Sequence, residues 1–327
     1  MRIVMIGAGA MGSMFGARLA RGGADVVLHD IDATHLAAIA AGGLRVSAPD
    51  GEVVLRLPVA ARAEDVGPVD TAVVLVDSNA TAAAAALAAR LLPPDGFALT
   101  VQNGIGNLEA LTAALGAGRV VGGTTYNSAA RLASGHVLHS NIGETTIGEL
   151  DGRASERVAG LAELLRRAGL PVAVSDNVVG HIWMKFVLNA AINPVSAITG
   201  LRPGEIMRTA PARQLLETAL DEILSVVAAK NVRLPDPDPR AAVLDHAWER
   251  YNRPSMLQHV EAGRRTEIDS LNAALLREAA ALGIACPVNR TIVLAVKALE
   301  ARAALRAGGP PDEAALEAAA RSSPRPA

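Results

Sequence analysis

The chain opens on a short strand-like run followed by glycines at fixed spacing. Arg2–Ile6 is rich in Ile and Val, Gly7-Ala8-Gly9-Ala10-Met11-Gly12 follows it, and Ser13–Arg21 has helical spacing. A GxGxxG pattern is weak alone, but here a strand precedes it and a helix follows it, as a dinucleotide site requires. The first glycine allows a tight turn, the second lets a pyrophosphate approach the backbone, and the third lets helix and strand pack closely. We therefore predict a dinucleotide-binding Rossmann domain, and not merely a structural turn, with all six residues contacting the cofactor.

An acidic residue follows the second predicted strand, Asp25–His29. Asp30 lies 18 positions after Gly12, about where this motif places the acid that accepts hydrogen bonds from the adenosine ribose. A carboxylate there repels a 2′-phosphate, so Asp30 favours NAD(H). The alternative is a solvated acid at a strand end, and Asp32 is close enough to share the ribose role.

The first half continues as alternating strands and helices, which predicts a doubly wound α/β sheet. The predicted strands are Val53–Val59, Thr71–Val76, Phe97–Val101, Val120–Gly122, Val137–His139, Glu144–Gly148 and Pro171–Val174, and the predicted helices are Thr81–Leu92 and Ala154–Ala168. Residues 1–177 form the Rossmann domain on this interpretation.

A polar, glycine-rich loop, Gln102–Asn107, follows one of these strands. Open α/β sheets bind ligands at the carboxyl ends of their strands, so we expect Asn103 to face cofactor or substrate. The alternative is that Asn103-Gly104 is only a turn.

The second half has helical patterns only, which predicts an all-α domain over residues 178–306. The predicted helices are Val179–Ile192, Glu205–Lys230, Arg240–Arg250, Met256–Gly263, Glu267–Leu282 and Asn289–Arg306. Residues 307–327 mix Gly, Pro, Ser and Ala and predict a flexible tail.

An apolar segment of this half, Trp183–Pro194, carries one lysine and two asparagines. At about 100° per residue, Asn189 lies roughly 40° from Lys185 and Asn193 roughly 80°, so the three share one side of a helix. Burial without a nearby anion lowers the pKa of a lysine, which suits a proton donor working near neutral pH. The alternative is a surface lysine beside two helix-end amides. Pro194 predicts that the helix ends near Asn193.

Polar residues also cluster in Asn252–Gln258 and Arg264–Asp269. Ser255 and Thr266 could be helix N-caps, which would explain both without a site. Glu267 and Asp269 are two residues apart and cannot share a helix face, so one can point at a site while the other faces solvent or a neighbouring arginine.

Composition excludes several classes of protein. Half of the 327 residues are apolar and the formal net charge is −2, which predicts no nucleic-acid or membrane-surface partner. The single Cys286 and the scattered histidines predict no disulfide framework and no metal site. We expect a reducing, cytoplasmic setting, with neither a signal peptide nor a membrane span.

Taken in order, these motifs resemble those of the ketopantoate reductase (2-dehydropantoate 2-reductase) family, over about residues 1–305. The resemblance rests on Gly7–Gly12, Gln102-Asn103-Gly104, the Lys185, Asn189 and Asn193 spacing, Ser255-Met256-x-Gln258 and Thr266-Glu267-Ile268-Asp269. Lysine followed four residues later by asparagine also occurs in related dehydrogenases, so the order of the five motifs carries the argument.

The resemblance implies a Rossmann domain, a helical domain and an active site in the cleft between them. It assigns Lys185 as general acid, Glu267 as the carboxylate that orients substrate and influences that lysine, and Asn103 as a neighbour of the nicotinamide. Substrate binding would fall to four polar side chains: Asn189, Asn193, Asn252 and Ser255. The implied reaction is hydride transfer from NAD(P)H to the C2 carbonyl of a 2-oxo acid, as in pantothenate biosynthesis.

Several residues depart from the family pattern. Asp30 and Asp77 stand where members usually carry basic residues, so we expect NADH although NADPH is the family habit. His259 replaces the usual Asp, and Asn272-Ala273 replaces Asn-Gly. These changes leave open an NAD-dependent (R)-2-hydroxyacid dehydrogenase of mandelate type and, more remotely, a non-catalytic dinucleotide sensor. Oligomeric state also stays open, with a homodimer as one alternative.

Overall fold

A computed structural model describes residues 1–306, together with 317 and 321. Apart from those two positions, the predicted flexible tail at 307–327 lies outside the described residues. The chain divides into two compact units: Met1–Phe186 with Val227–Pro239, and Val187–Val226 with Arg240–Ala327. This division falls inside one helix, nine residues after the domain boundary that we predicted at residue 177.

The first unit is built on an eight-stranded sheet in the order β12-β11-β8-β7-β6-β1-β2-β5. All neighbouring pairs are parallel except β11 with β8. The strands are β1 (Arg2–Ile6), β2 (Asp25–His29), β5 (Val59–Ala60), β6 (Thr71–Val74), β7 (Phe97–Thr100), β8 (Val120–Thr125), β11 (Thr145–Glu149) and β12 (Val172–Val174).

Alternation along the strands explains why both faces of this sheet are covered. Ile3 and Met5 pack into one core, whereas Val4 and Ile6 pack into the other. Successive side chains of a strand point to opposite faces, so a continuously apolar strand needs a core on each side. The covering helices are α1 (Ala10–Arg21), α2 (Ala33–Gly42), α3 (Thr81–Leu91), α4 (Asn107–Leu115) and α5 (Glu156–Arg167).

A second, four-stranded sheet in the same unit has the order β4-β3-β10-β9. Its strands are β3 (Leu44–Ala48), β4 (Gly51–Leu55), β9 (Ser128–Ala133) and β10 (His136–Asn141). The predicted single strand Val53–Val59 is wrong, because its first part belongs to β4 of this sheet and its last residue to β5 of the other. Pro58 lies between the two parts and cannot donate to a strand ladder.

The described elements after residue 177 are all helices, as predicted for the second half. They are α6 (Val178–Thr199), α7 (Pro203–Arg208), α8 (Ala210–Ala229), α9 (Pro239–Glu249), α10 (Ser255–Glu261), α11 (Asn272–Ala281) and α12 (Pro287–Leu305). The predicted helix Glu205–Lys230 is interrupted at Thr209, which has extended backbone angles. The predicted helix Glu267–Leu282 begins only at Asn272, and Glu267 lies in the turn before it.

Pro194 does not end α6, so the predicted helix end at Asn193 is wrong. A proline inside a helix leaves the carbonyl four residues earlier without its usual N–H donor. Here that carbonyl belongs to Ala190, and the Asn272 side-chain amide donates to it at 2.9 Å. A buried side chain from another helix therefore replaces the missing backbone hydrogen bond and lets α6 continue.

Candidate active site

The glycine turn after β1 has the geometry that a dinucleotide phosphate needs. Gly7 has φ of 95°, and a Cβ on Gly12 would lie 1.7 Å from the Gly7 carbonyl oxygen. A Cβ on Gly9 would meet nothing within 4 Å, so the space beside this residue is open. As the motif predicts, Gly7 makes the tight turn, Gly9 leaves space for a phosphate, and Gly12 allows close packing of α1 against the turn. The first backbone amides of α1 are available to bind the phosphate. The chain fits a dinucleotide here.

A buried histidine supports this turn, and the sequence analysis missed it. The Gly135 N–H donates to His35 Nδ1 at 3.0 Å, so His35 Nε2 carries the proton and faces Ser13 Oγ at 3.1 Å. Ser13 in turn donates to the Ala8 carbonyl at 2.7 Å. Burial lowers the pKa of His35, which keeps the imidazole neutral. The turn is therefore held by side chains from α1 and α2.

The two acids after β2 have different roles. Asp32 caps α2 by accepting from the His35 N–H at 3.0 Å, and it also pairs with Arg131 of β9 at 2.6 Å. These two hydrogen bonds hold the pKa of Asp32 below its usual value. Asp30 accepts a hydrogen bond from the Asp32 N–H at 2.9 Å. Because capping and pairing occupy Asp32, Asp30 is the better candidate for a ribose.

Hydrogen bonds fix the loop that carries Asn103, which is half-buried after β7. Gln102 Nε2 donates to the Val76 carbonyl at 2.6 Å and to Thr81 Oγ1 at 3.0 Å, which ties this loop to the one after β6. Asn107 Nδ2 donates to the Asn103 carbonyl at 2.9 Å. Asn103 therefore lies at the carboxyl end of β7, on the same edge of the sheet as the glycine turn.

Lys185 is half-buried on α6, and its ammonium is held at the carboxyl end of β8. Nζ donates to the Thr125 carbonyl and lies 5.5 Å from the centroid of the Tyr126 ring. The neighbouring Trp183 and Phe186 are buried and meet edge to face, with centroids 5.3 Å apart. The ammonium and the glycine turn thus lie at one edge of one sheet, because β1 and β8 point the same way.

Four of the remaining candidates lie on or next to helices of the second unit. Asn189 is half-buried one turn after Lys185, and Asn193 is buried. Asn252 is exposed before α10, and Ser255 is the exposed first residue of that helix. The position before it is Pro254, and no side chain caps α10, so N-capping does not explain Ser255.

Glu267 is half-buried in a turn that ion pairs hold in place. Thr266 donates to Glu300 Oε1 through both its backbone N–H and its hydroxyl, at 2.7 Å each. Lys297 bridges Glu300 and Asp269, at 3.1 and 2.6 Å. The Thr266 hydroxyl also accepts from the Ile268 N–H at 3.3 Å, but α11 begins only at Asn272 with Leu271 at its N-cap position, so Thr266 is not a helix N-cap.

The Asp269 carboxylate is paired with two basic side chains, which is compatible with the predicted difference in direction between Asp269 and Glu267. It pairs with Arg265 at 3.0 Å as well as with Lys297. Burial raises the pKa of Asp269, but hydrogen bonds from these two cations outweigh burial and leave the pKa lowered. Asp269 is thus committed to ion pairs, which leaves Glu267 as the candidate functional acid.

The described residues contain neither a metal-binding cluster nor a membrane-spanning helix. No group of three or more His, Cys, Asp or Glu side chains within residues 1–306, 317 and 321 could hold a metal ion. Over that same part of the chain, no helix has both the length and the apolar character needed to cross a membrane.

Comparison with family models matches most of the chain. The model described as Ketopantoate reductase PanE/ApbA matches residues 3–152, and the model for the C-terminal part of that family matches residues 177–300. The 2-dehydropantoate 2-reductase of Halobacterium salinarum is 36% identical over 294 residues, which cover 89% of this chain and 96% of the relative. The 2-dehydropantoate 2-reductase of Archaeoglobus fulgidus is 34% identical over 300 residues, which cover 91% and 98%.

Solved structures match over a similar extent. A PanE/ApbA family ketopantoate reductase from Ralstonia eutropha JMP134 is 32% identical, with a TM-score of 0.84 and coverage of 93% of this chain and 99% of that one. A D-mandelate dehydrogenase solved with NADH and anilino(oxo)acetate is 28% identical, with the same TM-score and coverage. The predicted fold class, a Rossmann sheet followed by a helical domain, is confirmed, and so is the resemblance on which the site residues rest.

Proposed function

The chain belongs to the ketopantoate reductase family, and from that premise we propose that it reduces 2-dehydropantoate at the C2 carbonyl. The product is the (R)-2-hydroxy acid pantoate. One observation carries this proposal. The Lys185 ammonium is held by the Thr125 carbonyl at the same sheet edge as a glycine turn built for a dinucleotide.

Lys185 is the proposed general acid. When bound, the reduced nicotinamide supplies the hydride that adds to the carbonyl carbon. Negative charge then builds on the carbonyl oxygen, where an ammonium stabilises it and delivers the proton that completes the alcohol. Lys185 is left neutral after this transfer and regains its proton from solvent. Thr125 and Tyr126 keep the ammonium in place before the substrate arrives.

The other site residues are proposed to bind and orient the substrate. Asn189, Asn193, Asn252 and Ser255 offer amide and hydroxyl donors, which can hold a carboxylate and a hydroxyl without adding a full charge. Glu267 is the carboxylate proposed to orient the substrate. Asn103 is proposed to contact the cofactor at the carboxyl end of β7.

NADH is the cofactor we propose. Asp30 supports this choice as the candidate acceptor for the ribose hydroxyls, and Asp77 is exposed after β6, so both positions are acidic where a 2′-phosphate needs cations. Arg131 is a basic neighbour of this loop, but its guanidinium is paired with Asp32. We further propose a cytoplasmic enzyme without a nucleic-acid partner, and a homodimer stays open.

A second candidate is an NAD-dependent (R)-2-hydroxyacid dehydrogenase of mandelate type. The Tyr126 side chain favours it, because this residue is 47% exposed and its ring lies 5.5 Å from Lys185 Nζ. An exposed aromatic face beside the general acid can stack on an aromatic 2-oxo acid. The structural neighbour solved with anilino(oxo)acetate is a D-mandelate dehydrogenase.

A panel of substrates and cofactors separates the two candidates. We would measure kcat/KM for 2-dehydropantoate, phenylglyoxylate and 2-oxoisovalerate, each with NADH and with NADPH. The main proposal expects 2-dehydropantoate to be the best substrate, and negligible turnover of it would refute that proposal. Under the second candidate, Tyr126→Leu should reduce kcat/KM for phenylglyoxylate more than for 2-oxoisovalerate.

Lys185→Ala tests whether the chain is a catalyst or a non-catalytic sensor. We expect kcat to fall by about 10²- to 10⁴-fold, the range for losing a general acid, with NADH binding retained. Activity equal to that of the unmutated enzyme would contradict the assigned role of Lys185. Absence of turnover with every substrate by the unmutated chain would support the sensor.

A further inference from the structure

The carbonyl that holds Lys185 belongs to a residue at the junction of two sheets. Thr125 is the last residue of β8 in the eight-stranded sheet, and β9 of the four-stranded sheet begins at Ser128. The two connecting residues are Tyr126 and Asn127, and the Tyr126 N–H, which belongs to the same peptide as the Thr125 carbonyl, donates to the Glu144 carbonyl at 2.9 Å. Of these, Asn127 is buried, with 6% of its surface exposed.

The Asn127 side chain is hydrogen-bonded to the Thr125 side chain. Its Nδ2 donates to Thr125 Oγ1 at 2.8 Å, to Thr145 Oγ1 at 3.1 Å and to the Gly143 carbonyl at 2.8 Å. The two threonine hydroxyls also contact each other at 2.8 Å across β8 and β11. The amide of Asn127 thus points its nitrogen at the threonines, which leaves Oδ1 facing the opposite way.

The Gly143 N–H donates to Asn127 Oδ1 at 3.3 Å, and a buried histidine and arginine support the same orientation of the amide. His139 Nε2 contacts Asn127 Oδ1 at 2.8 Å, and Arg18 Nη2 contacts His139 Nδ1 at 3.2 Å. A guanidinium can only donate, so Nδ1 must accept and Nε2 must carry the proton that it donates to Asn127. Burial and then the Arg18 charge lower the pKa of His139, in keeping with a neutral ring.

Asp50 is the last member of this series of hydrogen bonds. Arg18 is 2% exposed and donates two hydrogen bonds to the Asp50 carboxylate, at 2.6 and 2.7 Å. From Asp50 to Asn127 the donor and acceptor roles therefore agree, because Arg18 donates to Asp50 and to His139, and His139 donates to Asn127. The part of this network from Arg18 to Thr125 is buried, and it is rigid because moving one member leaves its neighbour without a partner.

We infer that Asp50, Arg18, His139 and Asn127 form a positioning relay that holds the Thr125 carbonyl, and with it the Lys185 ammonium, in place for catalysis. The relay lies within the first unit and involves no residue assigned above to substrate or cofactor. Its catalytic consequence rests on the proposed role of Lys185, whereas its structural coupling to Lys185 does not. His139 and Asn127 are positioning residues on this inference.

The composition of the chain allows a direct test of that coupling. Lys185, Lys230 and Lys297 are its three lysines. Lysine labelled with ¹³Cε and ¹⁵Nζ gives three side-chain signals, and single Lys→Arg substitutions assign them. Lys230 lies near the Trp183 ring and Lys297 is ion-paired in the second unit, so both are internal references.

The experiment compares three variants of the full chain. His139→Leu removes the donor to Asn127, His139→Gln can restore a donor amide, and His136→Leu changes a histidine of the same strand that contacts Ser47 instead, at 2.9 Å. For His139→Leu we expect the Lys185 signals to move while the other two stay, kcat to fall by about 10-fold or more, and the NADH dissociation constant to change by less than about twofold. His139→Gln should recover most of kcat, and His136→Leu should match the unmutated enzyme.

Other outcomes would overturn the inference. They are unmoved Lys185 signals and an unchanged kcat in a folded His139→Leu protein, or equal movement of all three lysine signals. If His139→Leu fails to fold, Asp50→Asn replaces it, because Asp50 is partly exposed and its substitution weakens the relay from the outside. Movement of the Lys185 signals without any loss of kcat would support the structural coupling of the relay to Lys185 but contradict the proposed role of Lys185 as general acid. The experiment therefore distinguishes failure of the relay from failure of the proposed function.

Discussion

At the scale of single residues, Asp30 and Asp32 are similar in sequence and different in structure. Asp32 caps α2 and pairs with Arg131, whereas Asp30 accepts one backbone N–H from Asp32 itself. The sequence could not separate the two acids, because the partner Arg131 lies 99 residues further along the chain. Their substitutions should therefore have separable effects on cofactor choice and on stability.

We predict that Asp30→Ala narrows the preference for NADH, because it removes the charge that repels a 2′-phosphate. Asp32→Ala should instead lower the free energy of unfolding, through loss of the helix cap. Steady-state kcat/KM with both cofactors and urea unfolding check the pair. A preference of the unmutated enzyme for NADPH would contradict this interpretation of Asp30.

At the scale of elements, two glycines of the turn have different roles, one in folding and the other in cofactor binding. A Cβ on Gly12 would collide with the Gly7 carbonyl, whereas a Cβ on Gly9 would enter open space. We predict that Gly12→Ala destabilises the protein, because β1 and α1 must separate to admit the methyl group. Gly9→Ala should leave the melting temperature within about 2 °C and raise the KM for NADH at least about 10-fold, because the methyl group occupies the approach of the pyrophosphate. An unchanged KM for NADH in Gly9→Ala would argue against a phosphate site at Gly9.

The proline in α6 creates a second test at this scale. Asn272 donates to the Ala190 carbonyl and to Asn289 Oδ1, which are both buried. Asn289 continues the network to the Ala219 carbonyl and to Glu222, which also accepts the first free amides of α12. One buried asparagine therefore ties the interior of α6 to the start of α12.

Asn272→Ala should lower the free energy of unfolding by about 2 kcal/mol, because it leaves the Ala190 carbonyl buried without its donor. In a Pro194→Ala background the backbone N–H at position 194 can donate to that carbonyl again. The cost of Asn272→Ala should then shrink by about 0.5–1 kcal/mol. Urea unfolding of the four proteins in this cycle measures the coupling, and strict additivity would mean that Asn272 does not compensate for the proline.

At the scale of the whole molecule, the ion-paired Glu300 near Glu267 makes the stability of the protein depend on pH. Burial raises the pKa of Glu300, but hydrogen bonds from Thr266 and the contact with Lys297 outweigh it, so the pKa of Glu300 is lowered below its ordinary 4.5. A carboxyl group whose pKa is lowered on folding stabilises the protein above its unfolded pKa. That contribution is lost as pH falls through the folded value.

Glu300→Gln should therefore lower the free energy of unfolding by about 1–2 kcal/mol at pH 7, and the difference from the unmutated protein should shrink below about pH 4. Glu249 on α9 is exposed, and Glu249→Gln is the matched control, expected to change stability by less than about 0.5 kcal/mol at either pH. Urea unfolding at pH 7 and pH 4 checks both. A difference for Glu300→Gln that grows on acidification would contradict the lowered pKa.

The sequence predicted well where local rules are strong. The predicted bounds of Arg2–Ile6 and Asp25–His29 match β1 and β2, because buried parallel strands are apolar throughout and glycine or an acid marks their ends. The assignment of Lys185, Asn189 and Glu267 to a site came from motif order and stays a prediction about function. The error at Pro194 arose because Asn272, which compensates for the proline, is distant in sequence, whereas Val53–Val59 is divided at Pro58 between two sheets.

By itself, the sequence determined the dinucleotide turn, the α/β pattern followed by helices, and the family, because all three are written in local spacing and in the order of short motifs. Only the tertiary structure decided how Lys185 is held, which acid after β2 is engaged, and how a helix passes through Pro194. Each of these depends on one buried polar group meeting another from a distant part of the chain, such as His139 with Arg18 or Ala190 with Asn272. Such pairs leave no periodic trace, because burial makes a hydrogen-bond partner necessary without specifying where in the sequence it lies.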